Sequence, residues 1–241
     1  MDYDATLAAA YKTGNMTLRP WSTVTSLIYD DKKRVARGVN VIDEQTGKTL
    51  EFYAKIIFLN ASAVASTAIL MATTTSSMPH GLDESGELGH NLMDHHFQAG
   101  ANAEFPGFEE YYTFGRRPNG FYIPRYRNFG EKGNGYLRGF GYQGGGNRTG
   151  WGRGHDMEGF GAAFKDALTK PGGWTLGMMG FAETLPYHDN KMYFHATQKD
   201  KWGQPLIVFD AKPGENELKM RKDMVNDAAE MLEAAGAKNI H

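Results

Sequence analysis

The sequence of 241 residues contains no cysteine, and this absence removes several kinds of chemistry at once. A chain without cysteine has no disulfide framework, no thiol nucleophile and no thiolate metal site. It also carries no signal for an oxidising or a reducing compartment. A catalytic or binding function therefore has to rest on other side chains, on the backbone or on a bound cofactor.

Charge of one sign and long apolar runs are missing as well. The chain has 26 lysines and arginines against 28 aspartates and glutamates, a formal net charge of -2, so its bulk charge favours neither nucleic acid nor acidic lipid as a partner. No stretch approaches the roughly 20 apolar residues that a membrane-spanning helix needs, and residues 1–4 do not resemble a signal peptide. We therefore expect no nucleic-acid partner and no membrane span.

Several familiar catalytic motifs are absent too. The sequence has no Gly-x-Ser-x-Gly nucleophile elbow and no phosphate loop ending in Gly-Lys-Ser, so a hydrolase or a nucleoside triphosphatase loses its best support. The alternating glycines of residues 150–154 follow no apolar strand and do not make a dinucleotide-binding fingerprint. In Asp94-His95-His96 the two imidazoles would point to opposite sides of an extended chain, so we expect no metal site there.

A glycine-rich segment, residues 133–161, holds Arg138, Arg148 and Arg153 among aromatic residues. Mixtures of arginine, glycine and aromatic residues bind single-stranded nucleic acid by charge and stacking. Three arginines in nearly thirty residues, interrupted by acidic residues, are few for that function. We interpret the segment as a tightly turned part of a ligand-facing domain, in which glycine permits the turns.

The stretch around which the chain is organised is residues 54–75. Residues 56–59 are apolar without polar alternation, and they predict a strand over 54–59 that is buried on both faces, as in a parallel sheet. Small residues at helical spacing follow and predict a helix over 61–73, with Asn60 or Ser62 as its N-cap. A strand, a tight turn and a helix N-terminus can face a nucleotide or another anion. The same pattern also fits an ordinary packed strand and helix.

The remaining elements predict a mixed α+β and α/β fold. A short helix over 5–12 and a meander of three strands precede residue 54, and a loop over 76–94 follows the helix. Short strands with many turns predict an antiparallel sheet within 100–210. The clearest helix is 215–235, with apolar residues at helical spacing and a terminating glycine, and we expect it to pack on one face of that sheet.

Several stretches, taken in order, resemble the glucose-methanol-choline (GMC) family of FAD-dependent oxidoreductases, in particular its bacterial sugar, polyol and gluconate-type dehydrogenase branch. The most specific of them is Gly86 to His95, which is similar to the family pattern G-x-x-G-x-N-x-M-D-H. The other matching stretches are Gly14 to Leu18 with Ser22 to Leu27, Arg37 to Val39, Lys55 to Leu70, Glu183 to Pro186, Asn190, Asp200 to Leu206, and Ala234 to Ala237.

The resemblance implies FAD as the cofactor and oxidation of a CH-OH group by hydride transfer to flavin. It implies that the backbone of Val24 contacts the adenine and that the small residues after the buried strand lie beside the cofactor. The cofactor-binding residues that it implies are Val24, Asn60, Ala61, Ser62, Asn91, Asp94 and His95. The implied partner is a small alcohol, sugar, polyol or sugar acid; the electron acceptor and the compartment are left unspecified.

Two family features have no counterpart in this sequence: the N-terminal Gly-x-Gly-x-x-Gly and the histidine-containing catalytic block downstream of the last helix. The resemblance therefore implies a central fragment, with residues 1–99 as a partial FAD-binding domain and 100–241 as a partial, antiparallel-sheet substrate domain with helices on one face. It places the catalytic base downstream. We expect this 241-residue chain alone to be colourless and inactive.

Aromatic side chains offer an alternative without redox chemistry. Tyr111, Tyr112, Phe114, Tyr122 and Trp151 are candidates for lining a polyol pocket, because the C-H faces of sugars pack on aromatic rings. The same residues fit the core of a sheet. They also fit a carbohydrate-binding module that holds no flavin, which is the alternative function that the sequence leaves open.

Overall fold

Three antiparallel strands follow a short helix at the start of the chain. The computed structural model describes residues 6–111, 120–129 and 133–241, without the side chains of residues 97 and 98. Helix α1 is Ala8–Lys12, and the strands are β1 (Ser22–Asp30), β2 (Val35–Asp43) and β3 (Thr49–Tyr53). They pair in the order β1-β2-β3, which confirms the predicted meander. Gly47 in the turn before β3 has a positive φ of 69°, a conformation that glycine adopts without strain.

This meander belongs to the first of two compact units, which comprises Met1–Leu92 and His188–Asp210. The same unit contains helix α2 (Ser62–Ala72) and a two-stranded antiparallel sheet of β8 (Lys191–Lys199) and β9 (Pro205–Asp210). Helix α2 packs against β1, and the helix predicted over 61–73 is confirmed. Residues 76–94 contain no helix or strand, as the turn-rich sequence predicts.

The buried strand predicted for residues 54–59 is wrong. The segment is neither helix nor strand, and the side chains of Ile56 and Phe58 are 71% and 81% exposed. A strand covered on both faces needs neighbouring strands. In the described residues the pairing of β3 with β2 continues only as far as the hydrogen bond from Ala54 N–H to the Arg37 carbonyl (3.0 Å). The apolar composition of this segment suggested burial, but composition does not show which residues would cover it.

The second unit comprises Met93–Tyr187 and Ala211–His241. Its antiparallel sheet contains β4 (His95–Phe105), β5 (Phe121–Ile123), β6 (Phe140–Arg148) and β7 (Trp174–Glu183), in the order β4-β7-β6-β5. Helix α4 (Glu215–Ala234) packs against β4 and β7, as predicted. The 3-10 helix Trp151–His155 and helix α3 (Gly161–Thr169) were not predicted from the sequence.

The core of the second unit lies between this sheet and α4. The most deeply buried side chains come from both elements: Phe140, Tyr142, Met178 and Ala182 from the sheet, and Met220, Met224, Ala228 and Leu232 from the helix. The contact is close enough to need glycine, because a Cβ at Gly180 would lie 2.3 Å from Met224 Cε. The two units are defined by their contacts and not by function. The division into a partial FAD-binding domain (residues 1–99) and a partial substrate domain (residues 100–241) therefore stays a prediction.

A fully buried carboxylate fixes the start of α4. Glu217 accepts hydrogen bonds from the backbone N–H groups of Gly214 (2.8 Å) and Leu185 (3.0 Å) and from the Tyr187 hydroxyl (3.0 Å). Burial alone would raise the pKa of Glu217, but these hydrogen bonds to the ionised carboxylate lower the pKa below its usual value. The Glu217 carboxylate therefore connects the start of α4 to the residues just after β7 through hydrogen bonds that its oxygens accept.

No helix in the described part of the chain is both long and apolar enough to cross a membrane.

Candidate functional site

A cavity of about 390 Å³ in the first unit brings together two of the residues implicated by the resemblance, Val24 and Ala61. Its walls come from β1, from one face of α2 and from the β8-β9 sheet. The lining residues are Ser22, Thr23, Val24, Thr25, Ala61, Ala65, Ala68, Ile69, Ala72, Phe194, Asp200, Gln204, Pro205 and Ile207. Three of the four α2 residues in this wall are alanines, and so is Ala61 just before the helix. The helix side of the cavity is therefore built mostly from the smallest side chains that still favour a helix.

The strand side of the cavity is formed by β1, an edge strand of its sheet. In the described residues β1 pairs with a neighbouring strand only along its β2 edge. Its register also shifts between Val24 and Ser26, so that Thr25 is an extra residue with no partner of its own on β2, which is a β-bulge. Bulges interrupt the ladder and leave N–H and C=O groups for other contacts. Val24 thus lies where a ligand can meet backbone groups.

The N-terminus of α2 lies beside this strand. The predicted N-caps, Asn60 and Ser62, are wrong, because the capping position is Ala61, and in the described residues the helix has no side-chain capping hydrogen bond. Ser62 adopts a positive φ of 69°, which is uncommon for a residue other than glycine. Asn60 and Ser62 are both exposed and do not line the cavity. The first N–H groups of the helix are left without a side-chain acceptor, which is the arrangement that favours an anion.

Buried Thr73 holds α2 against β1. Its hydroxyl donates to the Ile69 carbonyl (2.7 Å) and accepts from the backbone N–H of Leu27 (2.8 Å). At the other end of the helix, the Ser66 hydroxyl donates to the Leu59 carbonyl (3.3 Å). The Thr73 bonds fix α2 relative to β1, and the Ser66 bond ties the helix to the segment before it, so two walls of the cavity are held in place by side chains of this unit.

Asn91, another implicated residue of the first unit, does not line this cavity. It lies in the loop before β4 with a positive φ of 55°, and its amide donates to Glu87. Neighbouring His90 stacks on His188, with ring centroids 4.0 Å apart, and its Nδ1 lies 2.7 Å from the His188 carbonyl oxygen. The Asn91 side chain therefore stabilises its own loop in this structure.

Asp94 and His95 belong to the second unit and line a different pocket, of about 460 Å³. The other lining residues are Met93, Arg138, Glu183 and Thr184. His95 and Glu183 are directly opposite each other across β4 and β7, and the Thr184 hydroxyl donates to the Asp94 carbonyl (2.8 Å). Arg138 and Glu183 were not predicted as site residues. The match of Glu183 to Pro186 with the family pattern was the signal that pointed to Glu183.

The adjacent histidines of Asp94-His95-His96 face different surroundings, as their strand geometry predicts. His95 is exposed, whereas His96 has a buried Nε2 with no hydrogen-bond partner among the described residues. Burial, together with the positive charge of Arg221, lowers the pKa of His96. Among the side chains that the structure describes, no group of three or more potential ligands has the geometry of a metal site.

A third cavity, of about 340 Å³, is almost wholly apolar and lies at the far end of the β4-β7-β6 strands. It is lined by Phe105, Phe108, Tyr111, Gly146, Trp174, Thr175 and Leu176. Of the aromatic residues proposed for a polyol pocket, Tyr111 lies here. Tyr122 and Trp151 are exposed and line none of these three cavities, and Tyr112 and Phe114 lie outside the described residues.

Arg153 of the glycine-rich segment binds the backbone around it. Arg153 donates to the carbonyl oxygens of Thr149, Gly150, Ala167 and Lys170, at distances from 2.6 to 3.3 Å. These bonds join the 3-10 helix to α3. Because its guanidinium group donates to four backbone carbonyls, Arg153 stabilises the fold at this point.

Comparison with known families gives a match over the first part of the chain. Residues 3–97 match the family model described as GMC oxidoreductase. The matched range covers the meander, α2, the loop with Asn91, and the start of β4 with Asp94 and His95. This match supports the GMC family that the motifs resemble, and it supports an oxidoreductase.

A curated relative agrees with the class. The chain is 27% identical over 228 residues to 2-methyl-1,2-propanediol dehydrogenase of Mycolicibacterium austroafricanum, and the match covers 86% of this chain. The chain spans 38% of the length of that relative. The relative's name describes a dehydrogenase, so both comparisons support the same broad activity.

Proposed function

We propose that this chain is part of an FAD-dependent oxidoreductase that oxidises a CH-OH group of a small alcohol, polyol, sugar or sugar acid by hydride transfer to flavin. The observation that carries the proposal is the cavity between β1 and α2, which contains both Val24 and Ala61. The family match and the dehydrogenase relative support the same reaction class. The sugar, polyol or gluconate-type branch is part of the proposal.

The residues of this cavity fit a dinucleotide cofactor in two respects. The edge and the bulge of β1 offer backbone groups for recognising the adenine, and the small side chains of Ala61 and Ala65 permit close approach. The α2 N-terminus, without a side-chain cap, offers N–H groups to a phosphate. Asn60 and Ser62 flank that turn, so in the proposal they act through the backbone.

The flavin, when bound, supplies the hydride acceptor. The residues of this chain then bind and orient: Val24 and the first turn of α2 hold the nucleotide, and the pocket with Asp94 and His95 holds polar groups of the substrate or the cofactor. Asn91 positions the loop that leads to Asp94. The proposal assigns no catalytic base among the described residues.

A carbohydrate-binding module without redox chemistry is the second candidate. The exposure of Tyr122 and Trp151 favours it, because ring faces open to solvent are what sugar C-H groups contact. It predicts sugar binding that is lost in Trp151→Ala and does not depend on flavin. Titration of flavin-free protein with glucose, followed by tryptophan fluorescence, measures this directly.

The test of the proposed function uses the polypeptide encoded by the complete gene. We expect it to purify with FAD in a near-stoichiometric amount and its oxidised flavin absorbance to bleach when a small alcohol or polyol is added without oxygen. A protein that binds no flavin when saturated with FAD would contradict the proposal. So would a flavoprotein that no alcohol, polyol or sugar reduces.

A further inference from the structure

The polar pocket of the second unit lies where three strands reach the same end of a sheet. His95 begins β4, Glu183 ends β7, and Arg138 lies two residues before β6. The pairing of His96 and Phe140 with Ala182 points those residues to the face that holds the buried core. Side chains alternate along a strand, so His95 and Glu183 lie on the opposite face, away from the core.

The backbone of Arg138 is held in an uncommon conformation. Its φ is +69°, a left-handed value that costs a non-glycine residue free energy and that recurs at functional sites. The amide of Asn128 donates to the carbonyl oxygens of Tyr136 (3.0 Å) and Arg138 (2.8 Å), and Leu137 N–H donates to Asn216 (2.6 Å). The surrounding hydrogen bonds therefore hold Arg138 in position at the pocket.

Arg138 and Glu183 form an ion pair that leaves hydrogen-bonding groups of both side chains open to a ligand. Arg138 Nε lies 3.7 Å from Glu183 Oε2, which is within ion-pair distance but longer than a hydrogen bond, and both side chains are more than half exposed. A guanidinium group has five N–H donors and a carboxylate has about four acceptor positions. The pair thus presents donors and acceptors side by side along the wall of one pocket.

The charges of the pocket distinguish between classes of substrate. Asp94 and Glu183 are negative and Arg138 is positive, so the sum is -1 when His95 is counted as neutral. An anionic sugar acid would meet a net charge of its own sign. A neutral vicinal diol has hydroxyl groups that each accept and donate, which matches a donor beside an acceptor.

We propose that Arg138 and Glu183 recognise adjacent hydroxyl groups of a neutral vicinal diol or polyol, with Arg138 donating to one hydroxyl oxygen and Glu183 accepting from the other hydroxyl. The inference rests on the proposed function and narrows its substrate class by excluding sugar acids. It assigns specificity to two residues that neither the family match nor the relative's name identifies.

The test compares three small substrates of the complete flavoenzyme: glycerol, 1-propanol and glycerate. Glycerol is a neutral vicinal polyol, 1-propanol lacks the second hydroxyl, and glycerate replaces one end of glycerol by a carboxylate. We expect Arg138→Met to lower the efficiency of flavin reduction by glycerol by roughly 10-fold or more while 1-propanol changes by less than about 3-fold. With glycerol, the efficiency of Arg138→Lys should fall between those of the wild type and Arg138→Met. Glu183→Gln should raise the efficiency of flavin reduction by glycerate relative to that by glycerol.

Arg34→Met is the matched control. Arg34 also has a positive φ, and it forms an exposed ion pair with Glu84 in the first unit, outside the polar pocket. We expect this variant to treat all three substrates as the wild-type enzyme does. Equal losses on glycerol and 1-propanol in Arg138→Met, or no loss on either, would overturn the inference.

A binding measurement separates this inference from the proposed function. Saturation-transfer NMR with glycerol detects contact with the protein whether or not flavin is reduced. A wild-type signal that is lost in Arg138→Met and kept in Arg34→Met supports the pocket. An equal signal in all three proteins, or none in the wild type, overturns it. Absence of flavin reduction by every alcohol would count against the proposed function alone.

Discussion

Two phenylalanines show how differently the two units use apolar residues. Phe140 in the second unit is 1% exposed and contacts Tyr126 and Tyr142, with ring centroids 6.3 and 5.4 Å away. Phe58 in the first unit is 81% exposed and follows a strand whose pairing has ended. The second unit buries its apolar side chains against its own helix α4. The segment around Phe58 finds no such partner in the described residues.

The difference teaches that the second unit packs a core between its sheet and α4, whereas the first unit exposes apolar side chains in the segment just before α2. Only Ile69 of α2 is buried, while α4 buries six residues, two of them acidic. Alanines form most of the cavity face of α2, to which Ile69 contributes a large side chain. That face is therefore more suited to a ligand than to a packed core.

The largest expected effect is on the core of the second unit. Phe140→Ala removes a fully buried ring between the sheet and α4, and substitutions of this kind cost about 3–5 kcal/mol of the free energy of unfolding. Urea unfolding monitored by circular dichroism measures this loss. A loss below about 1 kcal/mol would show that the core is not packed as described.

A smaller effect, with a pH signature, is expected at Glu217. Glu217→Gln replaces a buried carboxylate that accepts four hydrogen bonds, and it should cost about 2 kcal/mol near neutral pH. The pKa of Glu217 is lower in the folded state than the usual 4.5, so the wild-type carboxylate stabilises the fold above pH 4.5. This stabilisation is lost as the pH falls through the folded pKa.

The variant should therefore lose part of the acid dependence of unfolding below pH 4.5. Glu158→Gln, at an exposed position, is the control and should keep the wild-type profile. Parallel pH profiles for wild type and Glu217→Gln would contradict the assigned hydrogen bonds.

The smallest effect is expected at Phe58. Phe58→Ala removes a ring that is already solvated, so the unfolding free energy of this 241-residue chain should change by less than about 0.5 kcal/mol. The same substitution at Phe140 is the matched comparison. A loss of several kcal/mol at position 58 would show that the strand predicted from the sequence is buried after all.

Local signals explain which elements the sequence predicted well. The meander has β-branched residues in its strands and a glycine in its turn, and α4 has apolar residues at helical spacing before Gly236. Each of these signals depends only on residues that are close together in the sequence. The periodic stretches were therefore found with nearly correct boundaries.

Burial and nonlocal contacts explain what the sequence did not show. Residues 54–59 have the composition of a buried strand, but burial depends on neighbours that composition does not name. Helix α3 and the 3-10 helix lie next to many glycines and depend on Arg153, whose guanidinium bonds carbonyls up to 17 residues away. The polar pocket was missed because Arg138 and Glu183 are 45 positions apart and meet only through strand pairing.

For the candidate site, the sequence named residues but not their arrangement, and their contact with a cofactor stays a prediction. Val24 and Ala61 share one cavity, whereas Asn60 and Ser62 flank its turn without lining it. Asn91 stabilises its loop, and Asp94 and His95 line a pocket in the other unit. A motif fixes which residues accompany one another along the chain. It does not fix which of them contact the same ligand.

The cofactor cavity is tested most directly by filling it. In the complete enzyme, Ala61→Trp places an indole where the proposal needs room for the nucleotide, whereas Ala63→Trp places the same ring at an exposed position of α2 outside the cavity lining. FAD per polypeptide and the melting temperature of the flavin-free proteins are measured together on both variants. Val24→Ile, which keeps the backbone contacts, should retain its FAD.

We predict that Ala61→Trp loses most of its FAD while its flavin-free form melts close to the wild-type temperature, and that Ala63→Trp keeps both properties. A folded Ala61→Trp enzyme with full FAD occupancy would contradict the assignment of this cavity to the cofactor.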